Sequence, residues 1–196
     1  MNRREWLKSM SALALGALAA PSLLAVLEAH AASQTPGKTP QFFKPAQYGL
    51  IGAVSDIVIP RTDTPGAVDA GVPLFIDQMF EAVYTKEEQT RYLTAMAAFD
   101  KAGGKPFMHL DPAQRTALVT RLHNEAVMAP KGSKLAPEAD FVLMSKKLAM
   151  LGFFLSQPGC TQVLQYDPVP GAWKGDIPLK QAGNGKAWAV ETSLKI

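Results

Sequence analysis

Four aspartates, Asp56, Asp63, Asp69 and Asp77, stand close together in the first half of the chain. Carboxylates brought together can divide the work of general acid and general base, provided their surroundings set their proton affinities apart. Two histidines, His109 and His123, follow later and could move protons near neutral pH. Neither histidine stands in a Glu-x-x-His or His-Glu-x-x-His arrangement, so the spacing defines no metal site. Asp63 and Asp69 also sit among Thr, Pro and Gly, where turn and capping roles account for them fully. His123 falls beside Leu122 on a helical pattern and reads as a helix-surface residue, and His109 reads as a loop residue. The sequence holds no Gly-x-Ser-x-Gly elbow and no phosphate-cradling loop. Gly183-Asn184-Gly185 lacks the third glycine of a dinucleotide fingerprint and reads as a turn. The expectation is a chain with no catalytic, cofactor-binding or metal-binding residues. The alternative left open is a stand-alone hydrolase or lyase built on the aspartates of 56–77.

Cys160 is the single cysteine. Alone it cannot make a haem attachment, an iron–sulfur cluster or a structural zinc site. In an exported protein an odd cysteine points to an intermolecular disulfide, against the competing role of a small buried hydrophobe. Its place after Gln157-Pro158-Gly159, at a helix end, favours a surface position and a bridge to a partner.

These residues must be held by a chain of 196 residues that is 47% apolar and 19% charged, with a net charge of +3. That length predicts one domain with a tail. The composition excludes a disordered protein and a disulfide scaffold. The charge is too small and too dispersed to argue for nucleic acid.

The N-terminus reads as an export signal. Arg3-Arg4 is followed by Glu5-Trp6-Leu7-Lys8, then by a stretch without charge from Ser9 to Leu27 and by Ala29-His30-Ala31. A basic head, an apolar middle and small residues at the cleavage positions are the three parts of a signal peptide. Arg3, Arg4, Trp6, Leu7 and Lys8 resemble the twin-arginine consensus. The expected divisions are a signal at 1–31, a linker at 32–44, a helical domain at 45–165 and an irregular arm at 166–196.

The helical domain reads as about five helices. Leu50, Ile51, Val54, Ile57 and Val58 fall on one helical face, and Pro60 stops that helix. Residues 61–71 form a loop rich in Thr, Asp and Gly. Val72, Phe75, Ile76, Met79, Phe80 and Val83 mark a second helix, with Pro73 in its first turn. Thr85 and Glu88 form a capping box for a third, which ends at Gly103-Gly104. Asp111-Pro112-Ala113-Gln114 opens a fourth in the same manner, directing Ala117, Leu118, Leu122 and Ala126 inward. The fifth spans 137–155, with an expected stripe of Phe141, Met144, Leu148, Leu151 and Leu155. The arm then carries Tyr166, Trp173 and Trp188 among prolines and glycines. Large aromatics seldom lie free in water, so they are candidate interface anchors or pack the arm on its own body. The fold class is all-α.

The run from Val54 through Asp56, Pro60, Thr62, Asp63, Thr64, Pro65 and Gly66, with Gly71 and Asp77 beyond, resembles the signature of the gluconate 2-dehydrogenase subunit 3 family. The tail from Tyr166 to Gly171 and the later Lys186-Ala187-Trp188 fit the same pattern. The resemblance implies a small, non-catalytic subunit of a periplasmic sugar or sugar-acid dehydrogenase. FAD would sit in a large partner subunit of the glucose–methanol–choline type, and haem c in a multi-haem cytochrome subunit that can accompany it. The small subunit would carry the export signal for both chains through the twin-arginine translocase and support maturation of the large one. In that frame the 54–77 residues are structural and Cys160 is a candidate inter-subunit bridge.

Overall fold

A computed structural model describes residues 39–130 and 132–166, with 178, 180 and 185–187 of the arm. The export signal and the tryptophans Trp173 and Trp188 lie outside the described residues. Five α-helices account for most of what is described: α1 (Pro45–Val58), α2 (Val72–Ala82), α3 (Lys86–Lys101), α4 (Pro112–Met128) and α5 (Pro137–Leu155). A short 3-10 helix (Phe107–His109) lies between α3 and α4, and a π-helical turn (Gly159–Val163) follows α5. The domain is all-α, as the apolar spacing predicts. Among the described residues no helix is long and apolar enough to cross a membrane.

The expected start signals form as hydrogen bonds. The Thr85 N–H donates to Glu88 Oε2 at 2.9 Å, while the Glu88 N–H donates to Thr85 Oγ1 at 3.3 Å. Asp111 and Gln114 repeat the exchange at the start of α4, at 2.8 and 3.3 Å. Each pair satisfies two amides that have no partner within the helix.

α5 is the hub, packed against each of the other four helices. The expected stripe is met in part, and this central position buries further faces beside it. Phe141 and Leu148 are buried, but Met144 and Leu151 are half-buried and Leu155 is exposed. Val142, Ser145, Ala149, Gly152 and Phe153 are buried as well. A helix enclosed on several sides buries several faces, so a one-face pattern reads only part of it. Ala117 of α4 likewise faces out, and Val119 takes the inward place.

A chain of aromatic rings ties the helices together. Phe80 meets Tyr92 at 4.4 Å between centroids, Tyr92 meets Phe141 at 5.2 Å, and Phe141 meets Phe99 at 4.8 Å. The Tyr92 hydroxyl, fully buried, shares a hydrogen bond of 2.8 Å with Ser145 Oγ on α5. Burial also holds the Tyr92 phenol well above its ordinary pKa. At the surface, Arg91 of α3 grips Asp140 of α5 through Nε at 3.0 Å and Nη2 at 2.8 Å.

Candidate functional site

The 59–71 segment leaves α1 and folds back on itself before α2 begins. The Ala67 N–H donates to the Ile59 carbonyl at 2.9 Å, and the Val72 N–H to the Ala67 carbonyl at 3.0 Å. Gly66 is required here because a Cβ would lie 2.7 Å from the Arg61 nitrogen of the opposite limb. Gly71 closes the loop in the left-handed region, at φ 76°. Asp69 accepts the Gly66 N–H at 3.0 Å and the Arg61 Nε at 2.7 Å, and a second oxygen takes Arg61 Nη2. The Arg61 guanidinium and the Gly66 amide together hold the Asp69 carboxyl below the usual carboxylate range. Thr62 donates its hydroxyl to Asp63 at 2.9 Å.

Asp77 has a different role. It is fully buried at the middle of α2, and its carboxylate accepts three backbone amides: Gln41 at 2.7 Å, Phe42 at 3.1 Å and Phe43 at 2.8 Å. Residues 41–43, expected in a linker, are therefore pinned to the body. The Phe43 ring is buried against Phe80 at 5.3 Å. Nearby, burial and the Asp77 charge raise the pKa of the Tyr48 phenol. Sequence reading placed Asp77 in the motif and missed this task, because its partners lie more than thirty positions upstream.

Asp56 is exposed on α1, and Asp63 is exposed on the loop. His109 is exposed in the 3-10 helix. His123 is half-buried rather than free on the surface, with its Nε2 2.8 Å from Lys146 Nζ of α5. A protonated Lys146 donates there, so this nitrogen of His123 acts as the acceptor. Among the described residues no hydrogen bond joins either histidine to the four aspartates. Nor does any group of three His, Cys, Asp or Glu stand where a metal could be held.

Cys160 lies in the π-helical turn and is half-buried. Its thiol donates to the Phe154 carbonyl at 3.0 Å, and burial pushes its pKa up. Ser156 completes the end of α5: its hydroxyl donates to the Phe153 carbonyl at 2.6 Å and accepts the Gly159 N–H at 3.2 Å. Carbonyls left open by the last turn of α5 are thus capped by side chains. Gly159 admits no side chain, since a Cβ would lie 1.9 Å from the Phe153 oxygen.

The 61–69 loop and the 157–162 turn face each other across an open, polar cleft of about 560 Å³. Beyond it the chain folds back: the Gln165 N–H donates to the Ala187 carbonyl at 2.7 Å, and Lys186 Nζ to the Gln162 carbonyl at 2.6 Å. At these positions the arm contacts its own body. Tyr166 is exposed.

A family model described as gluconate 2-dehydrogenase subunit 3 matches residues 45–171. The chain belongs to that family. The match spans all five helices, the 59–71 loop and the π-helical turn. Gluconate 2-dehydrogenase subunit 3 is an accessory subunit of a dehydrogenase complex, and other subunits of such a complex are its partners. No curated protein and no solved structure matches the chain.

Proposed function

We propose that this subunit 3 chain is the non-catalytic small subunit of a periplasmic, FAD-dependent sugar or sugar-acid dehydrogenase. It binds the FAD-containing large subunit, stabilises it during maturation and carries it through the twin-arginine translocase on the signal at Arg3 and Arg4. A multi-haem cytochrome c accompanies the complex as electron carrier. The family match over residues 45–171 carries this reading.

The placement of the carboxylates supports it against the enzyme alternative. Asp77, itself fully buried, accepts three backbone amides, and Asp69 is engaged by Arg61 and Gly66. A general acid or base must reach a substrate proton within hydrogen-bond distance. Asp77 is buried and reaches only main chain.

Co-expression with the large subunit, purification through a tag on this chain, and an absorption spectrum with non-reducing mass analysis test the proposal. A yellow complex containing flavin is the expected result, with a mature N-terminus near Ala32. A colourless, soluble monomer that turns over substrate by itself would overturn it. The mass analysis also reads whether Cys160 bridges the two chains. A bridge requires the thiol to leave the Phe154 carbonyl.

A further inference from the structure

We infer that the contact between His123 and Lys146 is an acid-opened latch that holds the C-terminal half of α4 to the body. The inference goes beyond the accessory-subunit reading and does not depend on it.

The geometry leaves room for one charge. His123 Nε2 lies 2.8 Å from Lys146 Nζ, and both side chains are half-buried. An ammonium carries donors only, so the contact is a hydrogen bond only while Nε2 holds no proton. A free imidazole takes up its second proton at about pH 6.5, whereas a lysine stays charged far above that. Acidification therefore sets two cations at hydrogen-bond distance, and the side chains must part.

No carboxylate neutralises the added charge. On α4, Glu125 is paired with Arg121, and Arg115 is turned to the Leu110 and Met108 carbonyls. On α5, Asp140 is gripped by Arg91, Lys147 is exposed, and Glu138 stands two turns, about 12 Å, from Lys146. On α1, Lys44 and Asp56 are exposed. On α2, Asp77 is taken by residues 41–43 and Glu81 is exposed. On α3, Glu88 serves Thr85, Lys86 donates to Gln89 and Asp100 accepts the Phe107 amide, while Glu87 and Lys101 are exposed. Among the described residues none of these groups bonds to His123 or Lys146.

The far half of α4 has little else to hold it. Its start is fixed by the Asp111–Gln114 exchange and by Arg115, which donates to the Leu110 carbonyl at 3.0 Å. Beyond that, among the described residues, the His123–Lys146 bond is the one hydrogen bond between α4 and another element. α4 packs chiefly on α5, through Leu118, Val119, Leu122 and Ala126. Val127 and Met128, at its end, are exposed. Opening the latch thus loosens the turns around Leu122 and Ala126 while the start of the helix stays capped.

Hydrogen exchange of the full chain, with any subunit that co-purifies, tests this about one unit either side of the imidazole range, at pH 7.5 and pH 5.5. Rates are compared as protection factors, which remove the chemical effect of pH on exchange. One proton linked to opening changes its equilibrium by at most about tenfold per pH unit, so amides of 121–128 are expected to lose about fivefold in protection at pH 5.5 relative to those of α3. His123→Gln keeps an oxygen that accepts from Lys146 but takes up no proton, and should show no such loss. Lys146→Met removes the opposing charge and should also flatten the response. His109→Gln, on the exposed 3-10 helix, should keep the wild-type loss. Nitrogen NMR of the wild-type imidazoles reads the contact without any variant: at pH 7.5 His123 is expected to carry its proton on Nδ1 alone. Protection that falls equally in wild type and His123→Gln, or a proton on His123 Nε2 at pH 7.5, would overturn the latch.

Discussion

Replacing Asp77 separates a structural carboxylate from a chemical one. Its two oxygens accept amides from Gln41, Phe42 and Phe43, of which only the Phe43 bond, at 2.8 Å, is fully buried. Asp77→Ala strands that donor, at about 1–3 kcal/mol. The two part-buried amides can recover water and add less. Without the carboxylate, the 41–43 segment has little to hold Phe43 against Phe80 and Tyr92, and losing that burial costs about 1.5–3 kcal/mol more. Asp77→Ala is thus expected to lower stability by about 2.5–6 kcal/mol. Asp77→Asn keeps the shape, and its oxygen can still serve Phe42 and Phe43. Its NH2 then faces the Gln41 amide, donor to donor, so about 1–2 kcal/mol is expected. Urea unfolding of the mature chain measures both, and hydrogen exchange at 41–43 should speed up in the same order. Stabilities within about 0.5 kcal/mol of wild type for both variants would refute the reasoning. So would a loss of turnover in Asp77→Asn at full stability, the signature of a proton-transfer residue.

Gly159→Ala must displace the π-helical turn, because its Cβ would lie 1.9 Å from the Phe153 oxygen, and should cost about 2 kcal/mol or more. Gly49→Ala on α1 meets open space and should stabilise by about 0.5–1 kcal/mol, so paired melting curves with opposite signs check the geometry. Asp69, held by Arg61, and Glu88, held by the Thr85 amide, both titrate below their unfolded values. The unfolded chain therefore takes up these protons first on acidification. The stabilisation is full above the unfolded carboxylate range and lost as pH falls through the folded values. Unfolding curves should show stability dropping below about pH 4, and less so in Asp69→Asn. Cys160, half-buried and with a raised pKa, should react with iodoacetamide more slowly than a free thiol at pH 8, and at the free rate once the chain is unfolded.

Helices were legible wherever a local signal set them. The Thr85–Glu88 and Asp111–Gln114 caps act over three residues, and the observed bonds are the ones the sequence implies. Burial was largely legible on α1: Leu50, Ile51 and Val54 point inward as expected, and Ile57 and Val58 are half-buried against the core. On α5 it was legible in part: Phe141, Met144, Leu148 and Leu151 lie in or against the core, but enclosure by four neighbours buries further faces that leave no one-face period in the sequence. The loop at 61–71 was legible as an ordered turn from its Thr, Asp and Gly content. The cleft was not, since its second wall lies about ninety positions away in the π-helical turn.

The same distance explains why an acidic run need not be a reactive one. Asp56, Asp63, Asp69 and Asp77 look alike on paper, yet the fold puts each in different surroundings: open solvent, a hydroxyl, a guanidinium and a ring of backbone amides. Carboxylates acting as a pair need a shared site, and that depends on how α1, the loop and α2 diverge. What brings the loop toward the end of α5 is the packing of α2 on α5. There Gly152 admits the Phe75 ring; a Cβ would lie 2.6 Å from it. α2 carries the loop at its start, while α5 carries the capped turn at its end. Gly152 therefore lets α2 and α5 approach closely while lining no part of the cleft at their ends.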